Sequence, residues 1–276
     1  MAGGVALNCV MNARLRDAGL FDEVWVQPAA GDAGTALGAA LWVDARQRAT
    51  ASAPAPRAWA MEHAYWGPQY GDDEVEQLLR WSKIPYRVLD DVAAETAELL
   101  ARDQVIGWFQ GRMEFGPRAL GARSILASPL KPEMQQRLNE LKDREDFRPV
   151  APVIAEEDLA DWFTPAEANG GKARFMLFIY DVKPEQAARI PAVCHADHTA
   201  RVQTVTAEIN PRYHALLKAF QARTGVPVLV NTSFNVRGEP MVCSPKDAIN
   251  AFFSTPLDAL VIGRCLVEKR PAGDGR

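Results

Sequence analysis

Three arginines and one glutamate are interleaved with three glycines and a proline in Gly111-Arg112-Met113-Glu114-Phe115-Gly116-Pro117-Arg118-Ala119-Leu120-Gly121-Ala122-Arg123-Ser124, directly after the apolar run Val105-Ile106-Gly107-Trp108-Phe109. A guanidinium donates two parallel hydrogen bonds in one plane, and glycines let a ligand approach the backbone. Arg112, Arg118 and Arg123 therefore suit a triphosphate or an acyl phosphate. The plainer reading of the same residues is a structural turn in which Glu114 pairs with one arginine.

Lys142-Asp143-Arg144-Glu145-Asp146-Phe147-Arg148-Pro149 adds three more cations, and the apolar run that follows puts Arg148 at the mouth of a buried strand. Such a site suits an anionic ligand, although mixed-sign runs also make solvated helix faces. In Pro227-Val228-Leu229-Val230-Asn231-Thr232-Ser233-Phe234-Asn235 an apolar strand precedes a polar quartet. Open α/β sheets bind ligands at strand ends, so Asn231, Thr232, Ser233 and Asn235 can hold phosphate oxygens or an amide. The same residue types cap helices and fill turns.

Two features invite a metal. Cys194-His195-Ala196-Asp197-His198 lacks the i, i+4 helical spacing of common catalytic metal sites and reads as a loop cluster, with His195 left as a substrate contact. Asp32, in Gly31-Asp32-Ala33-Gly34, makes an Asx turn or presents a carboxylate to a cation at a helix N-terminus.

The elements that must position these residues alternate between helix and strand. Residues 5–18 read as a helix opened by a glycine pair, 23–28 as a short strand closed by proline, and 31–47 as a glycine turn leading into an Ala-rich helix. Two helices and one strand cannot enclose a core, so residues 1–48 need a partner layer for Leu7, Val24, Trp25, Val26 and Leu37. The Ala-, Pro- and Ser-rich stretch 49–60 reads as a linker. Beyond it come helices 72–81 and 91–102, strand 105–109, strands 175–182 and 200–205, helix 212–224, strand 226–230 and helix 245–253. That order makes 61–270 an α/β domain with a tail at 271–276.

Composition narrows the function classes. The 276 residues are 48% hydrophobic and 24% charged, which is an ordinary globular chain, and the net charge of -4 argues against a large polyanion held by overall charge. Four cysteines without a CxxC pair fit neither a disulfide framework nor a structural zinc site, and point to reducing cytoplasm. The N-terminus has no basic n-region, and no apolar run approaches the roughly 18 residues of a membrane span. Neither secretion nor membrane insertion is expected.

Taken together, Gly3-Gly4-Val5-Ala6-Leu7-Asn8, Gln27-Pro28-Ala29-Ala30-Gly31-Asp32-Ala33-Gly34, the long 111–121 motif, Phe147-Arg148-Pro149 and Asn231-Thr232-Ser233-Phe234-Asn235 resemble the O-carbamoyltransferases of antibiotic and nodulation-factor biosynthesis. The resemblance spans nearly the whole chain. It implies the end of an actin/Hsp70-like (ribonuclease H-like) transferase domain, residues 1–48, followed by a twisted open-sheet domain similar to threonylcarbamoyl-adenylate synthases. That second domain would make carbamoyl-adenylate from carbamoyl phosphate and ATP. The first would pass the carbamoyl group to a hydroxyl of a small-molecule acceptor.

By the same resemblance Gly3, Gly4 and Asn8 bind nucleotide phosphate, and Asp32 ligates Fe(II). Arg112, Arg118, Arg123 and Arg148 act catalytically on carbamoyl phosphate and the nucleotide phosphates. Lys142, Arg144, Asn231, Ser233 and Asn235 make the remaining nucleotide and carbamoyl phosphate contacts. Family members also carry a His-x-x-x-His iron motif upstream of the glycine turns, whereas the first histidine here is His63. The chain is therefore expected to be the C-terminal portion of such an enzyme, with weak or absent iron binding and a separate N-terminal transferase polypeptide as candidate partner. Two other classes stay in view. One is a non-catalytic nucleotide or carbamoyl phosphate binding remnant or subunit. The other is an RNA-binding module, disfavoured by the net charge and by the absence of aromatic residues interleaved with the basic ones.

Overall fold

The computed structural model describes residues 1–50, 59–164 and 173–269. Most of the 49–60 linker and the 271–276 tail lie outside the described residues. In chain order the elements are α1 (Cys9–Asp17), α2 (Thr35–Thr50), α3 (Asp72–Trp81), β1 (Arg87–Val88), α4 (Val92–Ala101), β2 (Ile106–Phe109), β3 (Arg123–Ala127), α5 (Glu133–Leu141) and β4 (Ala151–Ala155). Then follow α6 (Leu159–Trp162), β5 (Phe163–Thr164), β6 (Tyr180–Val182), α7 (Pro184–Ala187), β7 (Thr199–Ala200), β8 (Gln203–Val205), α8 (Pro211–Thr224), β9 (Val228–Ser233), α9 (Pro245–Ser254), β10 (Ala259–Ile262) and β11 (Cys265–Glu268). This is a mixed α/β fold.

Its centre is an open eight-stranded sheet in the order β1-β11-β10-β2-β3-β9-β4-β8, beside a small three-stranded sheet β5-β6-β7. Strands β2, β3, β4 and β10 are buried along their whole length; in β2, β4 and β10 this goes with continuous apolar sequence rather than alternation, whereas β3 opens on the buried Arg123 and Ser124. Helices α4 and α8 pack with one apolar cluster built on Trp108, Leu126, Leu216, Phe220 and Leu229. A second cluster gathers Phe109, Ile125, Leu138, Val228, Phe234 and Phe252. Asn210 caps α8 by accepting from Tyr213 N–H (3.1 Å), and Ser244 caps α9 within a capping box closed by Asp247.

Strand directions bring the motifs to one end of the sheet. β9 runs antiparallel to both β3 and β4, with Ser233 opposite Ser124 and Asn231 opposite Ala151, and β8 runs parallel to β4. The start of β3, the end of β9 and the starts of β4 and β8 therefore share an end. The strand expected at 226–230 lies further along the chain, at Val228–Ser233, so Asn231, Thr232 and Ser233 belong to β9 and do not follow it.

The N-terminal residues differ from expectation. Asn8 splits the 5–18 helix into a 3-10 turn, Gly4–Leu7, and α1, because its side chain accepts from Val10 N–H (3.1 Å) and Met11 N–H (3.0 Å). Residues 23–27 carry no regular assignment and join no sheet among the described residues, and Pro28 begins a turn; Gln27 N–H donates to Met1 O (3.1 Å). Val24 and Val26 alternate inward as a strand would, and with Ala6 and Ala30 they bury into the same cluster as the sheet. The partner layer needed by residues 1–34 is thus the C-terminal domain itself. Helix α2 contributes no buried residue and runs through positions 49 and 50, where the linker was expected to begin.

Two glycines fix how the 111–124 segment passes between these layers. Gly121 has φ +104°, and a Cβ there would stand 2.2 Å from the Tyr213 ring. Gly116 has φ +132°, and its Cβ would stand 2.9 Å from Pro28 O. Neither position admits a side chain.

Candidate functional site

Glu114 organises the segment. Its Oε1 accepts from the backbone N–H groups of Leu120 (2.7 Å), Ala122 (2.7 Å) and Arg123 (3.3 Å), pinning the loop that carries Arg118. Arg123 is part of this scaffold. It is fully buried, its guanidinium lies 3.7 Å from the Phe109 ring centroid, and its donors go to five carbonyls, those of Gln110, Gly111, Ala122, Pro68 and Cys243. Burial pushes it down to about 10. Every edge of the Arg123 fork, expected to hold phosphate, meets backbone instead.

Asn231 lies inside the sheet, with its Oδ1 buried and without a hydrogen-bond partner among the described residues. At 1% exposure its amide donates to Ala119 O (3.2 Å) and Gln203 Oε1 (2.6 Å) inside the sheet. Arg112 is exposed, donates to Gly67 O (3.0 Å), and lines a cleft of about 450 Å³ with His63, Tyr70, Asp72, Gln110 and Arg212. Arg148 is exposed and paired with Glu145 (2.7 Å). Asn8 uses its side-chain oxygen as the α1 cap, and Gly3 N–H donates to Ala30 O (2.7 Å). His195 meets Thr199 (3.0 Å) within its loop.

What does converge is a cationic group at the shared sheet end. Lys142, at the C-terminus of α5, donates to Ser233 O (2.6 Å), Ser233 Oγ (3.2 Å), Asn235 O (3.2 Å) and Asn235 Oδ1. Ser233 Oγ also meets Asn235 Oδ1 (2.7 Å). Arg144 Nε donates to Asn139 Oδ1 (2.6 Å), and Arg118 Nη2 to Leu7 O (3.3 Å). Arg118 Nε, Arg144 Nη2 and Arg201 Nε are buried and have no hydrogen-bond partner among the described residues.

The neighbouring carboxylates are engaged elsewhere, Glu145 with Arg148 and Asp143 with Arg237 (both 2.7 Å). Burial and then the nearby charges of Arg118 and Arg144 push Arg201 down; burial does the same to Arg118 and Arg144. Lys142 is pushed down to about 7 by burial, with Arg144 second. Like charges held together in a low-dielectric site with unfilled donors are stabilised by an anion. Arg201, between β7 and β8, was missed by sequence reasoning because the expected 200–205 strand absorbed it. A lone cation inside Ala200-Arg201-Val202 was the available signal.

Residues 97–269 match the family model described as Carbamoyltransferase C-terminus, and residues 1–41 match Carbamoyltransferase N-terminus. The chain belongs to the carbamoyltransferase family. It is 46% identical to nodulation protein NolO of Bradyrhizobium diazoefficiens over 99% of this chain and 49% of that protein. It is also 46% identical to nodulation protein NolNO of Sinorhizobium fredii, over 99% of this chain and 40% of that one, and 40% identical to nodulation protein U of Rhizobium tropici, over 86% and 38%. The chain thus spans half or less of the length of these relatives. Full-length HypF, in its phosphate- and nucleotide-bound crystal structure, is a distant likeness, with TM-score 0.44 and 18% identity over 68% of this chain and 22% of that one.

The iron implied for carbamoyltransferases does not fit the residues present. Asp32 is exposed on a 3-10 turn, with its carbonyl accepting from Thr35 Oγ1 (2.7 Å), and the described residues hold no group of three His, Cys, Asp or Glu side chains that could bind a metal ion. Nor is any helix among the described residues long and apolar enough to cross a membrane.

Proposed function

We propose that this chain forms the activating half of a carbamoyltransferase, making carbamoyl-adenylate from carbamoyl phosphate and ATP. The observation that carries the reading is the set of three buried, unpartnered guanidinium nitrogens, on Arg118, Arg144 and Arg201, held beside Lys142, Ser233 and Asn235. Such a site is built for phosphate oxygens. The chemistry balances if water releases inorganic phosphate from carbamoyl phosphate and a carbamate oxygen then displaces pyrophosphate from the α-phosphorus of ATP. The arginines stabilise the charge that develops on the phosphates. Transfer to an acceptor hydroxyl falls to the transferase domain, of which the segment matched by the N-terminal family model forms one part.

Pyrophosphate release by the chain with ATP is the test. Release that requires carbamoyl phosphate supports the reading; binding of both ligands without release would make the chain a non-catalytic binding module.

Lys142 adds a pH signature. Its ammonium titrates near 7 in the fold against about 10.4 in an unfolded chain, so the charge facing the phosphate is present below pH 7 and lost as pH rises through it. A charge-assisted hydrogen bond contributes about 1.5–3 kcal/mol. Phosphate affinity should therefore fall about 10- to 100-fold between pH 6 and pH 9, relative to a Lys142→Met protein that lacks the step. Parallel pH profiles in calorimetric titrations of the two proteins would show that Lys142 does not face the anion.

A further inference from the structure

The anion site lies in the segment matched by the C-terminal family model, yet Arg118 is docked on the segment matched by the N-terminal one. Its Nη2 donates to Leu7 O (3.3 Å), the last carbonyl of the Gly4–Leu7 turn, which leaves the buried Nε without a partner among the described residues. The turn is closed by Ala6 N–H to Gly3 O and Asn8 N–H to Val5 O (both 3.0 Å). By themselves these two bonds make a short 3-10 turn, a weak element.

What anchors the turn is Asn12. Fully buried on α1, it uses its side-chain amide to bridge Ala6 O (2.8 Å) and Leu177 O (2.9 Å), tying the residue before Leu7 to the C-terminal domain. One turn further on, Arg16 lies over the Tyr180 and Phe178 rings (4.6 and 5.2 Å to the centroids) and donates to Ile179 O (3.1 Å), so α1 itself is fixed on the same surface. On the other side of the loop, Pro28 O closes on Gly116. The arginine-bearing loop is therefore held by N-terminal backbone at two points.

We propose that Asn12 is a positioning residue for Arg118: by fixing the Gly4–Leu7 turn it presents the Leu7 carbonyl that orients the Arg118 guanidinium toward the anion. A preorganised fork loses less freedom on binding than one that must first be ordered. The inference rests on the anion-site reading above.

The experiment is a double-mutant cycle on the full chain, with inorganic phosphate as the probe in calorimetric titration. Asn12→Leu keeps the volume and removes the donors. It should weaken phosphate binding about 3- to 10-fold, and the same change in an Arg118→Gln background should have no further effect. Equal losses in both backgrounds would show that Asn12 acts through general stability, and would overturn the proposal. Wild-type protein that binds no phosphate would instead overturn the site reading.

A measurement that needs no Asn12 variant guards against misfolding. Hydrogen exchange at the Ala6 and Asn8 amides should slow when phosphate is added to the wild-type chain, and not when it is added to Arg118→Gln, because coupling between the site and the turn is reciprocal. Unchanged exchange in wild-type protein that does bind phosphate would sink the proposal.

Discussion

Arg118→Ala should lower carbamoyl-phosphate-dependent pyrophosphate release about 100- to 1,000-fold, the usual loss when one preorganised donor is taken from a transition state. The fold should survive it. Arg118 gives the scaffold one bond, to Leu7 O, and its removal relieves repulsion with Arg201. Arg123→Ala provides the contrast: that guanidinium is fully buried against five carbonyls and the Phe109 ring, so its loss should show first in unfolding and only then in rate. Steady-state assays with thermal melts on both proteins separate the roles. Full activity in a folded Arg118→Ala protein would remove Arg118 from the site.

Glu114→Ala should cost about 3–5 kcal/mol of stability, because each buried N–H group left without its acceptor costs about 1–3 kcal/mol. Three backbone N–H groups lose their acceptor together, and the nearby Arg123 charge loses its balancing carboxylate. Burial raises the Glu114 carboxyl above its ordinary range. Its contribution is therefore most favourable below the unfolded value of about 4.3 and declines as pH rises through the folded one. Glu114→Gln, which keeps an oxygen where Oε1 stands, should lose much less. Urea midpoints at constant m-value measure both, and equal losses would mean that charge rather than the acceptor holds the loop.

The two readings open at the 111–124 segment are divided among its residues. Glu114 and Arg123 are the structural turn; Arg118 is the arginine left with an unfilled donor. Residue types could not make that division, because a guanidinium looks the same in sequence whether carbonyls or a phosphate surround it. Helices 212–224 and 245–253 were legible to within a residue or so because proline and a capping residue mark their starts. Strands β3, β10 and β11 were not: β3 is hidden at the end of a glycine-rich motif, and β10 and β11 are four-residue runs defined by pairing rather than by local pattern. Among site residues, Lys142, Ser233 and Asn235 were named in sequence and meet in space, whereas Asn231, one position from Thr232, faces the interior. Position along the strand accounts for the difference: Asn231 is paired on both sides, opposite Leu126 and Ala151, whereas Ser233 ends β9 with Ser124 alone opposite it.

The two family matches cover residues 1–41 and 97–269, but the packed interior does not divide between them. Ala6, Val24, Val26 and Ala30 share one apolar cluster with Phe109, Leu138 and Val228, while helix α2, with Trp42 66% and Val43 53% exposed, adds nothing to it. Cooperative unfolding follows shared burial rather than ancestry. Residues 1–34 and the large sheet therefore gain or lose structure as one thermodynamic unit, to which α2 is tied through Leu37, packed against the Met61, Leu120 and Met176 cluster.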